Sequence, residues 1–477
     1  MTESRPSSTY DLCVIGSGPA GQRAAIQAAK CDKKVIVLER TEVVGGAAIN
    51  TGTIPSKAIR EAILAASGRP SAISSQGDFF AARNARFSDI LSSCHDIIKT
   101  EVELVTKHFR SNGIENFHGT ASFRDEHTVE VEGAMGHRTI HADHFLIAVG
   151  TVPARPEGMS FDQNNLITSD ELPTLAYLPH SMIVVGGGVI GTEYASMLQA
   201  LGVRITLVEG RQRLLDFVDR EITEALQYQL RQGGMTLRLG EKAVKIQSIE
   251  PPTGARSVNK RMAEVTLESG KTLRADCLLY CIGRQGATTE LNLAAAGLEA
   301  DNRGRIQVNQ SYQTAVEHIY AAGDVVGFPA LASTSMEQGR LAACHMFDLP
   351  CESVPRLLPY GIYSVPEISM VGWTEGQLTE EGIPYEAGIA NYREIARGHL
   401  LGDTTGMLKM LIHQDSHAIL GVHTIGTGAT ELIHIGQTAI AFNATVEYFV
   451  NAVFNYPTLA ECYKVAAMNG LNKLRHV

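Results

Sequence analysis

One pattern occurs twice along this chain and limits what it can fold into. It consists of an apolar strand, a GxGxxG triplet of glycines, a helix rich in small residues, and a second apolar strand closed by a glutamate. In the first copy residues 10–15 lead into Gly16, Gly18 and Gly21, and residues 35–38 end at Glu39. In the second, residues 181–185 lead into Gly186, Gly188 and Gly191, and residues 203–208 end at Glu209. The acid keeps the same offset from the first glycine, 16 to 39 and 186 to 209. A strand feeding such a loop brings a helix N-terminus to its mouth, where glycines admit a pyrophosphate and the helix dipole offsets its charge. The closing acid is placed to accept bonds from an adenosine ribose. Two such units in one chain predict an α/β protein that passes electrons between two dinucleotides.

At 477 residues the chain exceeds what one hydrophobic core usually serves, so several domains are expected. A net charge of −10 without a basic stripe argues against nucleic acid. No apolar run is long enough for a membrane span. The polar opening residues lack the apolar stretch of a secretion signal, so a cytoplasmic protein is expected. Eight cysteines are scattered along the chain. Cys277 and Cys281 on one strand would stand about 13 Å apart, and all eight are expected to be reduced thiols. The histidines show no ligand spacing, and no metal is expected.

Glu209 favours a free ribose 2'-hydroxyl, as in NAD(H), because its charge repels the 2'-phosphate of NADP(H). Arg211 and Arg213 follow at once and offer guanidinium donors to that phosphate, unless they are merely solvated turn residues. Tolerance of both nucleotides is the expectation.

The segment 45–57 reads GGAAINTGTIPSK. Gly45 and Gly46 permit close approach to a bulky ligand, Pro55 favours a helix start, and Lys57 places a cation in the first turn. This segment resembles the flavin-facing helix of the lipoamide dehydrogenase and glutathione reductase family of FAD-dependent disulfide oxidoreductases, which there reads GGxCxxxxCxPSK. Ala48 and Thr53 stand at the two cysteine positions, so no dithiol relay can work there. The strand-to-glycine ending at Gly150, its echo at Gly283, and the motif 318–325 with Gly323 and Asp324 are similar to the family's remaining FAD contacts. The resemblance implies that Asp324 meets the ribityl and phosphate region of FAD. It also implies that Lys57 and Glu193 flank the flavin N5, and that Val189 occupies the gate position over the nicotinamide side. The family's C-terminal histidine is replaced by Tyr456, while Glu461 is kept. Thiols and histidine serve one job, and they are absent together.

Within the family the likeness is greatest to its soluble transhydrogenase branch, which shares the TIPSK segment and the NYPT tail. The activity implied is reversible, Si-specific transfer of hydride from NADPH to NAD+ through one tightly bound FAD per subunit, by a ping-pong scheme. The alternatives are an NAD(P)H diaphorase or quinone reductase and a catalytically silent flavin-bearing subunit. The expected organisation is a first FAD segment over 1–150, an NAD(P) domain over 151–275, a return segment over 276–347 and an α+β dimerisation domain over 348–477. A homodimer or higher homo-oligomer is implied, with dinucleotide substrates and no nucleic-acid or membrane partner.

Overall fold

The computed structural model describes residues 9–67, 87–134, 136–156, 159, 161–162, 164–175, 177–252, 261–351 and 357–474. The expected polar interruption between the two helical tracts after Lys57, most of the loop 251–258 and part of the linker 349–359 lie outside the described residues. The chain divides into two compact units: residues 1–58, 92–156 and 283–353 form one, and residues 59–91, 157–282 and 354–477 form the other.

The first unit is built on a strand whose residues are almost all apolar and buried, Thr9–Ile15. It pairs in parallel with Val35–Glu39 on one side and with the last residues of Gly136–Ile147 on the other, so that Val14 stands between Val37 and Leu146. Glu115–His118 and Ile319–Ala321 complete a run of five parallel strands. Both faces of the inner strands are covered, which is why residues 12–15, 35–38 and 145–147 are continuously apolar, whereas the edge strand Glu115–His118 is polar and more exposed. Each fully buried Val or Ile there contributes about 1.5–3 kcal/mol. The 12-residue strand Gly136–Ile147 does two jobs. Its second half belongs to the parallel run, and its first half forms an antiparallel meander with Thr128–Gly133 and, through that strand, Thr120–Asp125.

The second unit repeats this arrangement. Thr236–Leu239, Arg204–Glu209, Ser181–Val185, Cys277–Tyr280 and Leu166–Thr168 form a five-stranded parallel sheet in that order. A separate antiparallel meander, Ala243–Ile249, Met262–Leu267 and Thr272–Ala275, accompanies it. The sequence repeat is thus a structural repeat, strand for strand. Because Cys277–Tyr280 hydrogen-bonds inside this sheet, residues 276–282 lie with the nucleotide sheet and not with the return segment expected from 276 onward. The return begins at Gly283, and Arg284–Gly286 pairs antiparallel with Thr151–Pro153, where the chain left the first unit.

The second unit also contains an antiparallel sheet in the order Tyr360–Ile362, Ile368–Gly372, Ile419–Ile425, Met407–His413 and Tyr385–Asn391. The helices Ala429–Ala441 and Glu461–Leu474 pack against it. Lys409, wholly buried on this sheet, reaches Asp219 at the N-cap of the nucleotide-domain helix Arg220–Gln232, as well as Glu221 and Glu375.

One expectation about cysteine is overturned. Cys344 and Cys351 are joined in a disulfide, with Cα atoms 6.2 Å apart. The helix Ala332–Met346 ends in a turn at Asp348, which has a φ of 52°, and the Leu349 amide returns to the Cys344 carbonyl at 2.9 Å. That reversal brings the second sulfur back over the last helical turn. Cys277 and Cys281 are not in a disulfide, as expected.

Candidate dinucleotide sites

Both glycine loops are built alike, and each glycine answers to a different neighbour. A Cβ on Gly16 would stand 2.3 Å from the Ala148 carbonyl oxygen, and one on Gly21 would stand 2.0 Å from the Gly16 carbonyl oxygen. In the second copy Gly186 faces Cys281 O at 2.7 Å and Gly191 faces Gly186 O at 1.9 Å. The first and third glycines are therefore demanded by the chain itself. The middle ones are not: a Cβ on Gly18 or Gly188 would meet nothing within 4 Å. Both are the N-caps of their helices, Pro19–Ala29 and Val189–Ala200, and neither cap carries a side-chain hydrogen bond. The space beside each cap and the four unpaired amides that any helix N-terminus carries suit a pyrophosphate.

The closing acids do more than the sequence suggested. Glu39 accepts from Ser17 N and Oγ at 3.1 and 2.6 Å through one oxygen, and from Thr41 N and Oγ1, both at 3.0 Å, through the other. Ser17 Oγ in turn accepts the Gly45 amide at 2.8 Å. In the second copy Glu209 accepts the Gly187 amide at 2.6 Å. Each acid therefore locks its own glycine loop from beneath. Arg211 forks onto Glu209, Nε to Oε1 and Nη2 to Oε2, both at 3.0 Å. Burial opposes ionisation of Glu209, but the Arg211 hydrogen bonds outweigh it and hold the carboxyl below its usual range. Arg213 donates to the Asp216 carbonyl at 2.9 Å. The two arginines are thus anchored within the loop by hydrogen bonds, although Arg211 remains exposed to solvent.

The segment 45–57 folds as two helices, Gly46–Asn50 and Thr53–Ser67, with Thr51 and Gly52 between them. A Cβ on Gly46 would stand 2.8 Å from Gly18 Cα, so this turn abuts the first glycine loop directly. The helix starts at Thr53, which puts Lys57 one residue beyond the first turn; its Nζ lies 3.2 Å from Ser56 Oγ. Asp324 sits on the same side of the unit: Ser335 Oγ donates to it at 3.3 Å, and Gly323 backs onto the Ala20 methyl. Arg284 bonds Thr151 Oγ1 at 2.8 Å, tying the two crossings together near Gly150 and Gly283. Sequence patterns gave no sign of Ser17, Ser335 or Gln338, whose Oε1 accepts the Gly323 amide at 2.8 Å. Ser17 fills an unconstrained position of the glycine motif, Ser335 and Gln338 lie outside it on the helix Ala332–Met346, and only the fold brings them together.

Glu193 is buried on Val189–Ala200 and accepts the Tyr363 amide at 2.8 Å. It is not a solvated helix residue. Tyr456 is largely exposed, whereas Glu461 keeps one buried carboxylate oxygen without a hydrogen-bond partner among the described residues. Two sulfur sites bear on the missing dithiol. Cys94 is buried with its sulfur 3.6 Å from the Pro55 carbonyl, and burial raises its pKa, which disfavours a thiolate. The Cys344–Cys351 disulfide sits nine residues along the helix from Ser335, roughly 14 Å by helical rise. The acids Asp219, Glu221 and Glu375 cluster as closely as the ligands of a metal ion would, but the Lys409 ammonium already bonds all three.

Two open-mouthed dinucleotide cradles on parallel sheets, joined in one chain to an antiparallel α+β domain, define a flavoprotein-type pyridine nucleotide oxidoreductase architecture. The chain belongs to the pyridine nucleotide-disulphide oxidoreductase family: residues 10–339 match that family's model, and residues 358–467 match its dimerisation domain. It is 47% identical over 468 residues to the soluble pyridine nucleotide transhydrogenase of Mycobacterium tuberculosis (strain ATCC 25177 / H37Ra), with 98% of each chain covered. It is 43% identical over 475 residues to the protein of that name from Colwellia psychrerythraea, again with 98% of each covered. Among solved structures, the flavoprotein disulfide reductase RclA from Escherichia coli aligns with a TM-score of 0.84 at 24% identity, over 95% of this chain and 98% of that one. LpdA from Mycobacterium tuberculosis aligns with the same score and identity over 96% and 99%. These two likenesses establish the fold alone.

Proposed function

We propose that this chain is an FAD-dependent transhydrogenase that moves hydride between NADP(H) and NAD(H), with FAD in the first cradle and the two nicotinamide nucleotides taking turns in the second. The observation that carries this reading is the pair of cradles with identical open middle glycines, beside a helix that has Ala48 and Thr53 where a dithiol would stand. FAD, when bound, supplies a two-electron carrier able to accept hydride from one nicotinamide and return it to another.

The residues of the chain do the positioning. The amides capping Pro19–Ala29 and Val189–Ala200 hold each pyrophosphate, and Glu39 and Glu209 keep the loops in shape while facing the riboses. Asp324 is assigned to the ribityl and phosphate region. Lys57 and Glu193 are assigned to the flavin ring, where they keep the local charge constant as hydride arrives and leaves; the burial of Glu193 supports this role. No proton need be moved by a side chain in either half-reaction, which agrees with Tyr456 standing in place of a histidine. Work as a homodimer in the cytoplasm, with one tightly bound FAD per subunit and Si-type stereochemistry, belongs to the same proposal. The dimerisation-domain match supports the dimer, and the relatives named soluble transhydrogenases support the activity.

The test is hydride transfer from NADPH to thio-NAD+ by purified, FAD-saturated protein in the presence of arsenite. Catalytic turnover that arsenite does not alter is expected. No transfer at full FAD occupancy would refute the assignment, and quinones outcompeting NAD+ at cellular concentrations would favour a diaphorase.

A further inference from the structure

The loop that follows Glu209 is held from several sides. Arg211 has its amide on Glu209 Oε1 at 2.8 Å, and its carbonyl accepts the Gly240 amide at 2.8 Å. Leu214 and Leu215 are fully buried, and the Leu215 amide bonds the Gly187 carbonyl at 3.2 Å. The loop therefore rides on the second glycine turn itself. Within it, the Arg211 guanidinium is held between two acids. Its Nε and Nη2 take Glu209, and its Nη1 donates to Asp216 Oδ1 at 2.6 Å. Arg213 fixes the Asp216 backbone from the other side.

We propose that Asp216 sets how strongly the second cradle discriminates between NADP(H) and NAD(H), by competing with the 2'-phosphate for the guanidinium of Arg211. The inference rests on the reading of that cradle as the nicotinamide-dinucleotide site. A guanidinium has five N–H donors; Glu209 takes two of them and Asp216 a third. One N–H on Nη1 and one on Nη2 remain, and these are the two nitrogens whose end-on edge a phosphate grips bidentately. A carboxylate on Nη1 both crowds that edge and repels a dianion approaching it. With NAD(H) no phosphate arrives, and the conflict does not arise. Arg211 is thus a phosphate receptor kept partly closed, and Asp216 is the group that closes it. Glu209 cannot play this part alone, because its carboxylate is also tied to the Gly187 amide beneath the loop.

Asp216→Asn preserves the size and surface position of the side chain while removing its charge. Affinities of the FAD-loaded protein for NADP+ and NAD+, measured separately by calorimetry, give the ratio that matters. The substitution should shift that ratio toward NADP+ by about three- to tenfold, the range of a half-exposed charge-assisted contact. In an Arg211→Met background the same substitution should leave the ratio within about twofold, because the competitor has lost its target. An unmoved ratio in the single variant, or an equal shift in both backgrounds, would overturn the role given to Asp216. If the unaltered protein binds neither nucleotide, the reading of the cradle fails and this inference falls with it.

Discussion

The carbonyl oxygen of Gly186 lies 1.9 Å from where a Cβ on Gly191 would stand. Helix and strand are packed there at backbone distance, while Gly188, between them in sequence, faces only open space. The two glycines of one motif therefore differ in what their loss would do. Gly191→Ala should cost about 3 kcal/mol of stability, since the backbone must shift to accept the methyl. Gly188→Ala, at a φ of −75°, fits the backbone and should change stability by less than about 1 kcal/mol. It should nonetheless weaken nicotinamide-nucleotide binding about tenfold or more by filling the pyrophosphate's place. Urea denaturation and nucleotide titration of the two variants separate these outcomes; equal loss of stability in both would contradict the geometry.

Lys409 is wholly buried, with Asp219, Glu221 and Glu375 around its ammonium. Lys409→Met should cost about 3–5 kcal/mol, because Asp219 is left buried without its main partner. Burial opposes ionisation of Asp219, but the neighbouring His423 and Lys409 outweigh it and lower its pKa. The stability it contributes is complete above the ordinary aspartate pKa, about 3.9, and is lost as pH falls through the lower folded value. Burial opposes the charge on Lys409 too, yet its bonds to Glu375 and Asp219 raise its pKa. Its contribution is complete below about pH 10.4 and is lost as pH rises through the higher folded value. Denaturation midpoints across pH should show both limbs in the native chain and a flatter profile in the variant.

Arg60 and Glu367 form a second buried ion pair, Nη2 to Oε2 at 3.1 Å, and Arg60 Nε also donates to the Ser364 carbonyl at 3.3 Å. Burial raises the pKa of Glu367 even with this partner present. Arg60→Met should raise it further and destabilise the fold by about 3 kcal/mol at neutral pH. For a carboxyl raised on folding the loss grows as pH rises, so the variant should recover part of its stability near pH 5. A penalty independent of pH would show that packing of the arginine stem, and not the uncovered acid, carries the effect.

If no sulfur takes part in turnover, Cys94 and the Cys344–Cys351 pair are dispensable. Cys94→Ala and the double variant Cys344→Ser/Cys351→Ser should each retain hydride transfer within about threefold of the native rate, because neither removes a carrier. The double variant should lose roughly 2–3 kcal/mol of stability, the chain-entropy value for so short a loop. Loss of turnover with FAD still bound would place a cysteine in the redox path.

The repeat of strand, glycine loop, helix and acid was plain in the sequence because each part is local: period-2 or continuous apolar runs, and glycines where the chain must touch itself or a phosphate. In the C-terminal domain the apolar runs 368–372, 406–412 and 418–422 and the helical tracts 431–441 and 460–469 are legible for the same reason, and they fold as Ile368–Gly372, Met407–His413, Ile419–Ile425, Ala429–Ala441 and Glu461–Leu474. The boundary at 276 was misplaced because a strand of either unit is equally apolar; only the pairing of Leu278 with Ile183 decides its sheet. The Cys344–Cys351 bond depended on one left-handed residue, Asp348, whose conformation no periodicity announces.

By itself the sequence determined that two glycine loops of the dinucleotide type are present and that Ala48 and Thr53 leave no dithiol at the family's usual place, since both follow from residue identity at fixed spacing. Tertiary structure alone decided which glycine faces open space, that Glu39 and Glu209 brace their own loops, and that Arg211 is shared between Glu209 and Asp216. These are relations between atoms far apart along the chain or on an irregular loop. Hydrogen-bond direction and available space, unlike hydrophobic rhythm, exist only once the chain has closed around them.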